Sequence, residues 1–463
     1  MGDIRGSTMK RRQQTASMGG RVGVGFAVCV ALAALTGCTD GEEGRQFATD
    51  ARRTAVPTAT MAVTPPPPPP GMDQTVVPVR PLADLVVARG APDTVYLRAN
   101  RDLLAIDAGD GAAADVFVPA ENEAIVGSAA SPSGDRAAVL TVTRSGQAAV
   151  TVIDSAGKRL WNREAPGDAL PAAGGPRAPR SIDWSPQGDR LLVSFEPGGI
   201  VAMPVDGSGA PALVVPEAEA PWPAVARWSP TGQGIAFISA REGEPVRGLA
   251  VVEAMPAAGV GGGEGTLAPV QATPGATPVA TPVGGLDVIA GDRDRPVLSF
   301  AWLPDGQSLL FTEGGPRDGS GAPANADLWR IETDGDGRRL IASAGSAAPV
   351  ADVTLIAPSP DGSAVAYTVS IPGAEGEQFH SLWVRDLEAG QGYLIPTDAG
   401  AAVTDLRWTS AGLLYRTSPQ AVKGRNYEAG EFDVFVIGEN GETRLLMTAR
   451  VKDATPAATP RPS

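Results

Sequence analysis

The sequence holds few side chains that could carry out imidazole or thiol chemistry. His380 is the only histidine among 463 residues, and Cys29 and Cys38 are the only cysteines. A single histidine cannot build a histidine-ligated metal cluster, and it leaves only one imidazole that could serve as the base of a Ser-His-Asp triad. The sequence also lacks a G-x-S-x-G motif, a Walker A loop and a dinucleotide-binding fingerprint. We therefore expect no metal, no cofactor and no catalytic residue.

Charged side chains remain as candidates for binding. They share a position near the start of a predicted strand, ahead of a recurring tryptophan position: Arg180, Asp183, Arg227, Asp352, Asp405 and Arg407. Because they carry both signs, they suit a polar small ligand or a peptide segment. Trp222, between Pro221 and Pro223, is a further candidate as an exposed aromatic residue. The alternative is that these charges are solvated or paired residues of a rim and that Trp222 covers the start of a strand.

The charge and turn content of the chain exclude some classes of protein. It has 52 acidic and 38 basic side chains, for a net charge of −14, which argues against nucleic acid as a partner. The 57 glycines and 43 prolines disfavour a helical bundle and favour many turns, disordered segments or both.

The first 38 residues predict export and attachment to a membrane. A basic stretch (Lys10 to Arg12) precedes an apolar run from Val22 to Leu35, which is shorter than the roughly 20 residues of a spanning helix. Leu35-Thr36-Gly37-Cys38 then resembles the bacterial lipobox, and that resemblance implies that Cys38 is lipidated after cleavage of residues 1–37. A short membrane anchor or ordinary secretion is the alternative. Cleavage removes five basic side chains and one acidic one, which changes the net charge from −14 to −18.

A repeat in the remaining sequence predicts how the charged residues are positioned. Six stretches share a turn of the Ser-Pro-x-Gly type, whose central residue is Pro132, Pro186, Pro230, Pro304, Pro360 or Ser410. Proline presets φ, and glycine takes the left-handed conformation that closes such a turn. Apolar alternation after each glycine predicts a strand, and a second hairpin follows. Four antiparallel strands in roughly 45 to 55 residues are typical of a β-propeller blade.

The stretches at Trp184, Trp228, Trp302 and Pro358 resemble the repeats of TolB-like propellers, which are loosely akin to WD repeats. The resemblance covers most of residues 83–450 and implies an all-β propeller of four-stranded blades, with seven blades favoured and six as the alternative. We expect the inner strands to line a central channel. The recurring tryptophans are expected in the core rather than in a ligand cage.

Low-complexity segments flank and interrupt the predicted propeller. Residues 38–82 predict a proline-rich disordered tether, residues from about 254 to 295 an insertion, and residues 451–463 a disordered tail. The TolB-like resemblance implies a non-enzymatic, monomeric module of the cell envelope that binds a protein or peptide on the extracytoplasmic side. The alternatives are a hydrolase or lyase that uses Asp183, Asp352 and Asp405, or a ligand-sensing lipoprotein.

Overall fold

A computed structural model describes the part of the chain that folds into strands. The described residues are 80–86, 90–99, 101–165, 178–206, 209–216, 222–240, 247–254, 287–292, 294–315, 325–344, 352–372, 378–397, 401–419 and 432–449. The predicted signal peptide (1–37), Cys38 and the predicted tail (451–463) lie outside them, as do most of the predicted tether and insertion.

Among these residues, a single short helix precedes seven antiparallel sheets. The helix is α1 (Leu82–Leu85). Sheet 1 is β1 (Thr94–Ala99), β2 (Asp102–Asp107) and β3 (Ala113–Phe117). Sheet 2 is β4 (Glu123–Ala130), β5 (Arg136–Thr143), β6 (Ala148–Asp154) and β7 (Arg159–Glu164). Sheet 3 is β8 (Ala178–Trp184), β9 (Arg190–Glu196), β10 (Gly199–Pro204) and β11 (Ala212–Val215).

The other four sheets repeat the four-stranded pattern. Sheet 4 is β12 (Trp222–Trp228), β13 (Gly234–Ala240), β14 (Arg247–Glu253) and β15 (Asp287–Ala290). Sheet 5 is β16 (Val297–Trp302), β17 (Ser308–Gly314), β18 (Ala326–Glu332) and β19 (Arg339–Ala342). Sheet 6 is β20 (Asp352–Pro358), β21 (Ala364–Pro372), β22 (Gln378–Asp386) and β23 (Gly392–Ile395). Sheet 7 is β24 (Ala401–Thr409), β25 (Gly412–Pro419), β26 (Phe432–Ile437) and β27 (Thr443–Ala449).

The sheets follow one another around a ring. Within each sheet the strands pair in chain order, and one parallel bridge between Ala326 and Asp352 also connects sheet 5 to sheet 6. The first strand of a sheet contacts the first strand of the next at β4–β8, β8–β12, β16–β20 and β20–β24. Strands β13 and β14 contact β16, and β1 contacts both β4 and β24, so the contacts return to their starting point. This all-β ring is the propeller that the repeats predict.

The Ser-Pro-x-Gly turns form as their sequence predicts. The amide of Gly134 donates to the carbonyl of Ser131 at 2.9 Å, and φ of Gly134 is +73°. The serine adds hydrogen bonds that the turn motif alone does not predict. In sheet 3 the Ser185 hydroxyl donates to Asp189 at 2.7 Å and accepts from the Arg190 amide at 3.0 Å. The buried hydroxyl therefore fixes the first residue of the following strand.

The start of the propeller differs from the expected strand pattern. Leu82–Leu85 is helical, and sheet 1 has three strands among the described residues rather than the four of the predicted blades. Leu85 and Val86 are buried in a core formed by sheets 6 and 7. Residues 80–82, at the end of the predicted tether, belong to this packed segment. In the predicted insertion, residues 287–290 form β15 and pair with β14.

Candidate functional site

A cavity of about 770 Å³ lies where the inner strands of the sheets converge. Its lining comes from β8, β12, β16, β20 and β24, with Pro132 after β4. Four of the predicted candidates line this central cavity: Asp183, Arg227, Asp405 and Arg407. The alternating side chains of an antiparallel strand explain the convergence, because every second residue of an inner strand points toward the same face.

Two other candidates lie elsewhere in the sheets, and one cannot be placed. Arg180, at the start of β8, forms an ion pair with Glu196. Asp352, at the start of β20, accepts a hydrogen bond from the Ala326 amide at 2.9 Å and so connects sheets 5 and 6. Neither residue lines the central cavity. The side chain of Trp222 lies outside the described part of the structure.

Each of the two cavity carboxylates is held by a backbone amide and lies near an arginine. Its Oδ2 accepts a hydrogen bond from the Trp228 amide at 2.9 Å, and its Oδ1 lies 4.0 Å from Nη1 of Arg227. Burial raises the pKa of Asp183, and the opposing influence of Arg227 and the backbone amides does not cancel that effect. In Asp405, Oδ1 accepts from the Leu406 amide at 2.9 Å and lies 3.4 Å from Nη2 of Arg407.

The two cavity arginines are more exposed than the carboxylates beside them. The side chains of Arg227 and Arg407 are 42% and 57% exposed, whereas those of Asp183 and Asp405 are 21% and 19% exposed. Nη1 of Arg227 donates to the carbonyls of Ile182 and Ala226 at 3.2 and 3.3 Å. A guanidinium has five N–H donors, so each arginine keeps donors that can reach a ligand in the cavity.

The lining of the central cavity that comes from sheets 5 and 6, between the sheets of Arg227 and Arg407, is largely apolar. Leu298 and Phe300 come from β16, and Leu355 and Ile356 come from β20. Phe300 is buried, while the other three are only partly buried. The sequence does not mark these residues as candidates, because apolar residues on inner strands are expected in the core. Leu355, three residues before Pro358, shares a strand position with a charged candidate, Asp405, which lies three residues before Trp408.

A second cavity of about 840 Å³ lies beside the turns of sheets 3 to 5. The amide side chains of Gln187, Gln233 and Gln307 line it, together with Asp189 and Glu253. None of the predicted candidates lines this cavity. Trp228 and Trp302 border both cavities, which places the second cavity next to the wall of the central one.

His380 lies on β22, where it pairs with Ser370 of β21. Burial lowers the pKa of its imidazole. Within the described part of the chain, its buried Nδ1 has no hydrogen-bond partner and no group of three His, Cys, Asp or Glu residues could hold a metal ion. His380 does not line the central cavity.

Comparisons with known proteins find a likeness of structure. No family model and no curated protein matches the sequence. An oligogalacturonate lyase in complex with manganese is 16% identical, with 76% of this chain and 83% of the lyase covered and a TM-score of 0.48. A putative TolB from Agrobacterium tumefaciens is 15% identical over 63% of this chain and 84% of that protein, with a TM-score of 0.38.

Prolyl oligopeptidase B from Galerina marginata is 12% identical to this chain, with 80% of this chain covered and a TM-score of 0.49. The chain spans about half of that protein, since 52% of its length is covered. TolB from Acinetobacter baumannii is also among the similar structures. The chain has a TolB-like β-propeller fold, and these likenesses concern the fold alone. Among the described residues, no helix is long and apolar enough to cross a membrane.

Proposed function

We propose that this protein is a lipid-anchored, extracytoplasmic propeller that binds an envelope protein or a peptide through its central cavity, without catalysing a reaction. The observation that carries the proposal is the central cavity itself. Residues from six sheets line it, and they include two exposed arginines and several partly buried apolar side chains. A cleft with an apolar lining and a few placed polar groups is the usual form of a binding site.

The enzymatic alternative rests on the carboxylates. Of the three candidates, Asp183 and Asp405 line the central cavity and Asp352 does not. Each cavity carboxylate also accepts a backbone amide bond and lies near an arginine. These contacts occupy part of the hydrogen-bonding capacity of both carboxylates, whereas the arginines beside them are more exposed. This arrangement favours binding over hydrolysis or elimination.

Site-specific crosslinking in the native envelope tests the binding proposal. A photoreactive amino acid at Leu355 lies on the wall of the central cavity, and one at Leu394 lies exposed on the outer strand of the same sheet. We expect the Leu355 derivative to give a discrete protein or peptide adduct that the Leu394 derivative does not give. Recovery of a bound metabolite without any protein adduct at Leu355 would refute the proposal.

The lipid attachment is tested separately at Cys38. The thioether to diacylglycerol requires a thiol, so Cys38→Ala should leave the precursor uncleaved or release the protein from the membrane fraction. The matched control is Cys29→Ala, which removes the other cysteine and should change neither property. An unchanged mass and membrane fraction for Cys38→Ala would contradict lipidation. The acidic propeller should be repelled from an anionic lipid surface, which favours a position away from the membrane.

A further inference from the structure

We propose that the central cavity selects a peptide segment that carries a carboxylate next to an aliphatic side chain. The carboxylate would bind Arg227 or Arg407, and the aliphatic group would lie against Leu298, Leu355 and Ile356 on the sheets between them. This inference rests on the proposed function, because it names the chemistry of the peptide that the cavity binds. Three observations carry it: the exposure of the arginines, the engagement of the aspartates and the apolar lining of sheets 5 and 6, which lie between the sheets of the two arginines.

The charged residues of the lining come from sheets 3, 4 and 7. Arg227 lies on β12 and Arg407 on β24, each one residue before the recurring tryptophan of its inner strand. Backbone carbonyls accept from Nη1 of both arginines, which fixes the direction of each side chain. Nε and Nη2 of Arg227 have no partner among the described hydrogen bonds, so they are free to donate to an incoming oxygen. A carboxylate can accept two parallel bonds from such a group.

The aspartates do not offer an equal site for a cation. Their side chains are about half as exposed as the neighbouring guanidinium groups or less. One oxygen of each is already bonded to a backbone amide, of Trp228 for Asp183 and of Leu406 for Asp405. The cavity therefore presents more accessible positive than negative charge, although the whole chain carries a net charge of −14. An acidic ligand would be attracted at this cavity and repelled by much of the remaining surface.

The apolar residues of the lining that would contact the ligand come from sheets 5 and 6. Leu298, Leu355 and Ile356 are only partly buried. Ala301 and Ala357, which line the cavity on the same two strands, have short side chains that take up little of its volume. Covering partly exposed aliphatic surface is favourable, at about 25 cal/mol for each Å² removed from water. A ligand with an acidic group alone would leave this aliphatic surface exposed to water. The cavity therefore fits a ligand that has both groups within a short distance.

Calorimetric titration with three acetylated and amidated octapeptides tests the inference. All have a Gly/Ser background, and their central pairs are Glu-Leu, Gln-Leu and Glu-Ser. We expect the Glu-Leu peptide to bind at least about tenfold more tightly than either of the others, because a charge-assisted bond or a buried aliphatic side chain is lost in each. A fourth peptide, which ends in a free leucine carboxylate, shows whether a chain terminus supplies the same chemistry as a side chain.

Arginine variants test whether the cavity guanidinium groups cause the preference for the Glu-Leu peptide. At least one of Arg227→Gln and Arg407→Gln should weaken binding of the Glu-Leu peptide severalfold and leave binding of the Gln-Leu peptide unchanged. The control Arg101→Gln removes a guanidinium outside the cavity lining and should change neither affinity. Equal affinity for Glu-Leu and Gln-Leu would overturn this inference and leave the proposed function intact. Binding of none of the peptides at millimolar concentration would overturn it as well, and crosslinking at Leu355 would then decide the proposed function separately.

Discussion

One buried carboxylate secures the segment through which the chain enters the propeller. Asp386, on sheet 6, is fully buried and bonds to Nε of Arg80 at 2.8 Å. Its Oδ1 also accepts from the amides of Glu388 and Ala389, both at 2.8 Å. Burial alone would raise the pKa of Asp386, but the bonds from Arg80 and the amides outweigh burial and lower it. The carboxylate is therefore charged in the folded protein.

Removing the cation from this pair should destabilise the protein. Arg80→Met leaves the charge of Asp386 buried without its counterion, and we expect a loss of about 3 kcal/mol in the free energy of unfolding, measured with urea. Combining Arg80→Met with Asp386→Asn should recover part of this loss, because the uncompensated charge is then absent. An Arg80→Met protein as stable as wild type would show that the pair does not hold the segment.

The same carboxylate predicts the direction of a pH dependence. Because the pKa of Asp386 is lower in the folded than in the unfolded protein, its contribution to stability is complete above the unfolded value of about 4. The contribution is lost as the pH falls below that value and through the folded pKa. The difference in stability between wild type and Asp386→Asn should therefore shrink on acidification in this range, and a constant difference would contradict the assignment.

At the scale of the strands, tryptophans join one sheet to the next. The indole Nε1 of Trp184 donates to the carbonyl of Ala129 on the preceding inner strand at 2.9 Å. Trp408 donates in the same way to Ala357 at 2.9 Å, and Trp302 to Arg227 at 3.3 Å. Trp228 occupies the equivalent place in sheet 4, but its buried Nε1 has no partner among the described residues. The inner strands are therefore connected by side chains where no sheet bonds exist.

Trp228 provides a matched control for the value of this bond. Trp184→Phe and Trp228→Phe remove similar volumes from equivalent sites, but only the first removes a hydrogen bond, the one to the Ala129 carbonyl. We expect Trp184→Phe to lower the free energy of unfolding by about 1 kcal/mol more than Trp228→Phe does. Urea denaturation of both variants measures the difference, and equal losses would mean that the indole bond contributes nothing.

Elements whose conformation depends on residues close in the chain are predicted from the sequence. Positions that depend on contacts with residues far away in the chain are not. The Ser-Pro-x-Gly turns formed as expected, because proline and glycine set the local backbone angles. The convergence of Asp183 and Asp405 followed from the repeat. The structural position of Asp352 and the helix at Leu82–Leu85 did not, because they depend on Ala326 of another sheet and on a core between sheets 6 and 7. No local pattern encodes those partners.

At the scale of the molecule, the ring is closed by packing between sheets 1 and 7. The amide of Ser410 donates to the carbonyl of Pro92 at 3.2 Å, and Nη2 of Arg444 donates to the carbonyl of Gly109 at 2.8 Å. Side chains of both sheets share one core, which includes Leu97 and Phe432. Because no strand of one sheet pairs with the other among the described residues, closure depends on close packing at this seam.

Gly111 lies at this seam and allows closure to be tested. Its φ is +79°, and a Cβ added there would lie 2.6 Å from the Leu446 carbonyl oxygen on β27. Gly146 has φ of +86° with nothing within 4 Å of an added Cβ, so Gly146→Ala measures the backbone cost alone. That cost is about 1 to 2 kcal/mol. We expect Gly111→Ala to lose at least about 1 kcal/mol more, because the backbone of β27 must move away from sheet 1.

Hydrogen exchange distinguishes an opened seam from general destabilisation. Gly111→Ala should speed exchange at the amides of β1 and β27, the strands on either side of the seam, more than at those of sheet 4 on the far side of the ring. Gly146→Ala, which lies in the turn between β5 and β6, should leave the β27 amides at their wild-type rates. If the two variants lost equal stability and changed exchange in the same places, the contact between Gly111 and Leu446 would have no part in holding the ring closed.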